Sequence, residues 1–374
     1  MLNIPEKFLQ PPLKSESEVT VFGADYGECI VCHLGNSHWF IVDSCKFSPK
    51  SRPAAIDYLS SLGVATATAV DFIVVSHFDE DHIKGLAETI ASCGSAPVYS
   101  SAAMTEREFM AYAIDPNFPT ARRGYADARE IIDASSYLVS QCRSFEGVVP
   151  MTQLKRISAS ESGHGFEVRA FALSPSQYEV QNSLRTFAKY AMRPGERIRA
   201  QIPIENRNQL SVVVWVDYGP IRVCLGADLE IGDNPKSGWS AIIANRTQLD
   251  GRADVFKIPH HGSRDAFSHA VWDDMLVANP AAVLAPWSLA GRGLPTRADI
   301  GRIKKKTNSA HTTTTSSGLI ADTDFPPDVT RLMKATAKKL RRKPDPGAVR
   351  IRCNLSIPSL RPRIEYIAGS AGPL

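Results

Sequence analysis

With 374 residues, 43% of them hydrophobic and 22% charged, the chain has the composition of a folded globular protein and enough length to bury a sizeable core. A net charge of +4 is too mild to mark a polyanion-binding protein by itself, and no apolar run approaches the roughly 18 residues that would span a bilayer. The start, MLNIPEKFLQPPLKSESEV, has neither a basic lead nor a continuous apolar stretch, and the seven cysteines are odd in number and scattered, so a reduced, cytoplasmic protein without a membrane segment is expected.

Pro5, Pro11 and Pro12 discourage regular structure in an N-terminal arm of residues 1–17. Strand-like runs follow at 19–22, 30–34 and 39–42, the last two joined by the turn Gly35-Asn36-Ser37. Cys29 and Cys32 make a CxxC pair inside one such run, but with no second pair they do not read as a metal or redox site. The third run ends in Asp43, either a turn-capping residue or a carboxylate placed behind a site. Residues 54–62 read as an amphipathic helix feeding a β-branched and aromatic strand at 72–75. That strand runs into His77, Asp79, Asp81 and His82, four metal-capable side chains within six positions. His77 and Asp79 point one way off extended backbone, while Asp81 is placed to cap a helix beginning near Ile83. Mixed imidazole and carboxylate donors suit zinc, manganese or iron.

A helix to Ala91 and a strand near 97–100 come next. Residues 104–145 then turn helical and polar, with Arg122, Arg123 and Arg129, in the manner of an inserted helical cap over a site. Strand grammar resumes at 166–173, followed by a helix over 177–192. A hairpin of 211–216 with 221–225 delivers Asp228 behind Gly226-Ala227. The strand 255–258 ends in Pro259-His260-His261-Gly262-Ser263-Arg264, and the strand 283–286 ends at Trp287. Beyond Gly318, a loop, a basic helix over 329–340 and strands at 349–357 and 363–367 are expected to complete the second sheet, so that 18–374 is a single domain. Four strand ends therefore present Asp43, the His77 to His82 cluster, Asp228, and His260 with His261. One such end could be chance; four point to a shared metal site.

The segments VFGADYGECI, FIVDS, SHFDEDHIKG, NQLSVVVWVDYGPIRVCLGAD and KIPHHGS, in that order between about Val19 and Gly318, make the chain resemble the metallo-β-lactamase fold superfamily. Within it, the chain resembles the C-terminal hydrolase domain of ComEC-type DNA-uptake proteins and its free-standing relatives. The resemblance implies an α/β fold, a four-layer αββα sandwich with a helical insertion, and one or two divalent ions, zinc or manganese, at one end. By the family motif His77 and Asp79 would serve one ion and Asp81, His82 and His261 the other, with Asp228 bridging. Which of His260 and His261 binds stays open; His261 is preferred, leaving His260 for the substrate or leaving group. Two departures bear on the first ion. Asp79 stands where most relatives carry histidine, and the Gly-His-Thr-like turn that supplies a further imidazole reads Asn206-Arg207-Asn208-Gln209-Leu210-Ser211, while His164 lies one strand too early. The first position therefore lacks a second imidazole, and is expected to be weak, to need Asn208 or to fill only with substrate. Gly27-Glu28 replaces the Gly-Asp common in the family's first hairpin.

The implied chemistry is attack by metal-bound hydroxide, with Asp81 orienting the water, His260 or Ser263 stabilising developing charge, and Asp43 orienting the histidines. The likeness favours a phosphodiesterase or nuclease acting on DNA, RNA or a nucleotide. Arg122, Arg123, Arg264, the run Lys304 to Lys306 and the basic stretch 338–343 would meet a phosphate backbone without reading bases. Soluble protein partners in a multi-gene system are a further expectation. The alternatives are a small-molecule ester, lactone or thioester hydrolase with a narrow pocket under the 104–145 cap, and a non-catalytic regulatory module holding at most one tight ion.

Overall fold

Alternation within the strands sets the architecture. In His38–Val42, Phe40 and Val42 point to one side and Trp39 and Ile41 to the other, and all four are buried. A strand buried on both faces requires a covering layer on each side. In a computed structural model, which describes residues 4–23, 27–105, 125–190, 207–289, 292–314, 328, 331, 346–357 and 359–374, that requirement is met by two sheets packed face to face with helices outside both. The result is an α/β sandwich consistent with the metallo-β-lactamase fold.

In chain order the strands are β1 (Glu16–Gly23), β2 (Glu28–Gly35), β3 (His38–Val42), β4 (Val70–Val75), β5 (Val98–Ser101), β6 (Glu146–Val148), β7 (Thr152–Ile157), β8 (Val168–Ala172) and β9 (Val214–Asp217). They continue with β10 (Arg222–Leu225), β11 (Ala253–Lys257), β12 (Leu276–Leu284), β13 (Trp287–Leu289), β14 (Arg292–Leu294), β15 (Ala310–Thr312), β16 (Gly347–Asn354), β17 (Arg363–Ala368) and β18 (Gly372–Pro373). One sheet runs β17-β16-β1-β2-β3-β4-β5-β6 and the other β18-β15-β12-β11-β10-β9-β8-β7, while β13 and β14 pair as a small separate hairpin. The first sheet changes from antiparallel to parallel partway across, and the second carries its parallel strands between antiparallel edges. In the first, β3, β4, β5 and β6 are parallel; in the second, β10, β11, β12 and β15 are parallel.

Between the sheets lie Val19, Val21, Phe40, Val42, Phe72 and Val74 from one side and Val214, Val216, Val223, Val255 and Val283 from the other. Phe40 and Phe72 stack with centroids 4.6 Å apart and rings within 9° of parallel. The outer face of the first sheet is covered by the helices Ala54–Ser61, Leu86–Ser92 and Tyr125–Ser140, which contribute Ile56, Leu59, Ile90, Ile131 and Leu138. Trp239, Ile242, Trp272 and Ile303 cover the outer face of the second.

Three expectations are corrected by this arrangement. β16 and β17 extend the first sheet beside β1, and of the C-terminal strands it is β18 that joins the second. The register explains why: Val349, Ile351 and Cys353 alternate with Arg350 and Arg352, which matches the inward and outward faces of β1. β6, β7 and β15 add strands where the sequence pattern shows none, being short or polar on one face. Finally, the helical turn after β4 is Glu80–Ile83, so Asp81 sits inside it and Asp79 occupies the N-cap position without a side-chain capping bond. Within the expected cap region, the helix Tyr125–Ser140 belongs to the outer layer of the first sheet; residues 106–124, with Arg122 and Arg123, lie outside the described residues, as do 338–343 and most of the expected 329–340 helix.

Candidate metal centre

The parallel strands β3, β4, β10 and β11 all release their chains at one end of the sandwich. β3 gives Asp43, whose backbone N–H donates to Val74 O at 2.8 Å. β4 gives Ser76 and His77, and the turn after it brings Asp81 and His82 back beside β3 through a 2.7 Å bond from Ser44 N to His82 O. β10 gives Asp228; β11 gives His260 and His261. Val212 N donates to Ser76 O at 2.9 Å and so joins the two sheets at this end. The turns are strained: Asp43, Ala227, His260 and His261 all have positive φ, at 64°, 44°, 46° and 52°. Non-glycine residues held there cost on the order of 1–3 kcal/mol each, a cost that clusters where side-chain placement matters for function. Glu28 begins β2, antiparallel to β3, and therefore enters at the same end; Gly27 before it has φ 116°, and a Cβ there would stand 3.1 Å from Asp81 O.

The hydrogen bonds sort the imidazoles. His261 Nδ1 donates to Ala285 O at 2.8 Å, His82 Nδ1 donates to Asp43 Oδ2 at 2.8 Å, and His77 Nδ1 lies 2.9 Å from Ser76 Oγ. With each Nδ1 engaged, each Nε2 is turned towards the carboxylates. His261 Nε2 stands 3.2 Å from Asp81 Oδ2 and 3.3 Å from Asp228 Oδ2; His82 Nε2 stands 3.4 Å from Asp228 Oδ1 and 4.0 Å from Asp81 Oδ2; His77 Nε2 stands 3.9 Å from Asp79 Oδ2. The His77 and His82 rings are 4.2 Å apart. His77 Nε2, His82 Nε2 and Asp228 Oδ1 are buried polar atoms without a hydrogen-bond partner, and such atoms carry a full desolvation cost unless something else fills their lone pairs.

Charge balance points the same way. Glu28, Asp43, Asp81 and Asp228 are buried carboxylates at this end, and Lys257 is the buried ammonium set against them. Lys257 lies on the inter-sheet face of β11, pairs with Glu28, donates to Ala227 O at 3.0 Å and reaches within 3.7 Å of Asp228 Oδ1. The surplus of buried negative charge costs several kcal/mol per ion unless cations offset it. Without a metal, protons on the imidazoles do so. Burial lowers the His261 pKa, but Asp228 and Asp81 outweigh it and push it up to about 10; burial of His82 is likewise outweighed by Asp228 and Asp43, which raise it well above the usual value. Burial would raise Asp81, yet His261 and His82 hold it down to about 2. His77 moves the other way: burial and then the neighbouring His82 lower its pKa, which keeps its Nε2 lone pair free.

Glu28, His82, Asp228 and His261 lie close enough to share an ion. Glu28 nevertheless faces the Nδ1 edges of the two histidines, at 4.0 Å from His82 and 3.5 Å from His261, where both nitrogens already donate elsewhere. Paired with Lys257, it forms the floor behind the histidines, whereas Asp81 and Asp228 stand on the Nε2 side. The donor set on that side, imidazole nitrogen with carboxylate oxygen, fits a divalent zinc or manganese ion.

The remaining sequence candidates spread outward. Asp79 is half-buried, with Oδ1 accepting from Arg207 Nη1 at 3.2 Å. His260 is turned away from the cluster towards Glu230 Oε1, 3.2 Å from its Nδ1, and Asn208 Nδ2 donates to Glu230 at 2.9 Å and lies 3.3 Å from His260 Nε2. Asn208 thus braces His260 and does not reach the cluster. Ser263 is buried and its hydroxyl accepts from Asp265 N at 3.2 Å, a local capping role; Arg264 beside it is exposed. Glu28, Ser76, Glu230 and Lys257 were not singled out as site residues from sequence. Lys257 carried a signal, a lysine on the same strand face as Val255, and Ser76 carried the weaker one of adjoining His77.

No protein-family model matches this chain, and no curated protein matches it in sequence. Solved structures similar to it include metallo-β-lactamase fold proteins. The protein YhfI from Bacillus subtilis is 13% identical with a TM-score of 0.37, the match covering 79% of this chain and 95% of that one. Human tRNase Z, short form, is 13% identical with a TM-score of 0.31 over 64% of this chain and 76% of that one. A diphosphatase from the PhnP family is 9% identical with a TM-score of 0.36 over 72% and 85%.

Proposed function

We propose that this chain is a divalent-metal-dependent hydrolase of phosphodiesters, acting on DNA, RNA or a nucleotide in the manner of the ComEC-type hydrolase domains it resembles. The observation that carries the reading is the convergence of His82 Nε2 and His261 Nε2, their Nδ1 atoms already engaged, on Asp81 and Asp228, with His77 Nε2 unpartnered beside His82, in a buried cluster whose carboxylates outnumber its one ammonium. His82, His261, Asp81 and Asp228 would hold one zinc or manganese ion; His77 and Asp79, with Asp228 between, would hold a second. When bound, such an ion supplies Lewis acidity and lowers the pKa of a water from 15.7 towards about 7.

The chain's own groups do the rest. Asp81 Oδ2, inside the cluster, is placed to hold and orient the attacking water. His260, its side chain 21% exposed and braced by Glu230 and Asn208, stands outside the ion cluster, where it can meet the substrate. The Arg207 guanidinium lies 5.2 Å from the Phe78 ring centroid and pairs with Asp79, and Arg264 is exposed beyond Ser263; both put positive charge on the rim. A phosphodiester has a formal charge for that rim to meet, and a lactone or thioester has none. Trp287 walls the centre, its ring within 23° of parallel to His261 at 6.4 Å.

The test is hydrolysis of bis(p-nitrophenyl) phosphate, single- and double-stranded DNA, and RNA with zinc or manganese supplied, beside an Asp81→Ala/His82→Ala control. Cleavage that falls at least a thousandfold in the control is expected. Protein that retains metal yet cleaves none of these while opening a lactone or thioester would overturn the substrate assignment.

A further inference from the structure

Ser76 sits between Asp43 and His77 at the β4 exit and is fully buried. Its backbone N–H donates to Asp43 Oδ1 at 2.7 Å and its hydroxyl lies 2.7 Å from Asp43 Oδ2 and 2.9 Å from His77 Nδ1. Valence fixes the direction of these bonds. An ionised carboxylate can only accept, so the single hydroxyl proton goes to Asp43, and the contact with His77 is made by a proton on Nδ1. His77 is therefore in the tautomer that carries its lone pair on Nε2, the atom left unpartnered in the cluster. His82 receives the same instruction without an intermediary, because its Nδ1 donates to Asp43 Oδ2 at 2.8 Å. One carboxylate thus orients two imidazoles whose rings are 4.2 Å apart, one directly and one through a hydroxyl.

We infer that Ser76 is a positioning residue of the metal centre: its hydroxyl relays the Asp43 carboxylate to His77 and so creates the second ion position. This rests on the metal-dependent reading above and adds to it an account of how the poorer position, which lacks a further imidazole, is made to bind. The relay costs the protein little, since Ser76 is anchored to both sheets through Asp43 and Val212. Partners of this kind typically carry 10–100-fold in metal affinity.

Calorimetric titration of metal-free protein with zinc, and metal content after dialysis, test it on Ser76→Ala, Ser76→Thr and wild type. Two equivalents are expected in wild type. In Ser76→Ala the first equivalent, held by His82, His261, Asp81 and Asp228, keeps its affinity within about twofold, while the second weakens about 10–100-fold. Ser76→Thr, which keeps the hydroxyl, restores it. Equal affinity for both equivalents in wild type and Ser76→Ala overturns the inference. Uptake of a single equivalent by wild type, with metal-dependent cleavage intact, overturns it and spares the proposed function; no uptake at all overturns both. Wild type alone supplies a second readout that needs no variant. In cadmium-113-loaded, nitrogen-15-labelled protein His77 is expected to couple to cadmium through Nε2 with Nδ1 protonated, and coupling through Nδ1 would contradict the relay.

Discussion

Under the N-terminal arm, the fully buried Glu18 accepts from Thr20 Oγ1 at 2.8 Å, Tyr58 OH at 2.6 Å and Arg352 Nε at 2.7 Å. Arg350 beside it donates to Glu365 at 2.7 Å and to Phe8 O at 2.8 Å, and Arg352 also donates to Gln10 O at 2.6 Å. Two guanidiniums meet two carboxylates, and the remaining donors hold the arm. At the ends of β3, β4, β10 and β11 the same sandwich gathers buried carboxylates around one ammonium and leaves imidazole nitrogens without partners. Both regions are buried and charged, so burial of charge alone does not mark a functional site. What separates them is closure: the first network is balanced and satisfied by the chain itself, whereas the second is balanced only by something added.

That contrast can be broken at either side. The largest effect is expected from Arg352→Met, which strands the Glu18 carboxylate in the interior and should cost about 3–5 kcal/mol in denaturant unfolding while zinc uptake per folded molecule stays unchanged. Loss of metal uptake in this variant would mean that the two clusters are coupled. Next in size is metal removal. With free zinc at about 100 times its dissociation constant, the folded state gains roughly 2.7 kcal/mol, so chelation should lower the melting temperature of wild type and leave that of Asp81→Ala/His82→Ala unmoved.

The pH response is smaller and carries a sign. His261 has a folded pKa of about 10 against an ordinary 6.5, so in metal-free protein its protonated form contributes stability that is fully present below pH 6.5 and is lost as pH rises towards 10. Metal-free melting temperature should therefore fall across that window, and bound zinc, which takes the place of the proton on Nε2, should flatten the fall. Zinc binding near pH 7.5 should accordingly release protons, visible as a dependence of calorimetric heat on the ionisation enthalpy of the buffer. An identical pH slope with and without metal would place the ion elsewhere. Smallest is Arg264→Ala, for which cleavage of a DNA polymer should weaken a few-fold with a shallower salt dependence, and cleavage of bis(p-nitrophenyl) phosphate should weaken less.

Much of the fold is legible along the chain because its strands are written locally. Trp39 to Val42 and Phe72 to Val75 are apolar on both faces, which demands cover on both sides, and β3, β4, β10 and β11 each end within a few residues of a polar turn. Asp43 and the candidate donors His77, Asp81, His82, Asp228 and His261 stand at or just beyond those stops, so the pattern that ends a strand also displays them. Short or one-sided strands such as β6 and β15 lack that contrast and pass as loop.

That apolar runs form strands and that metal-capable side chains follow them can be read along the chain, since both depend on neighbours a few positions away. Tertiary structure decided which of these side chains meet. The turn between β11 and its following loop sends His261 inward and His260 to Glu230; β16 pairs with β1 although the whole sandwich lies between them in the chain; Lys257 closes on Glu28; and Ser76 joins His77 to Asp43. Each of these is a contact between segments remote in sequence, set by register and by the strained turns at the strand exits, and no local pattern encodes the partner.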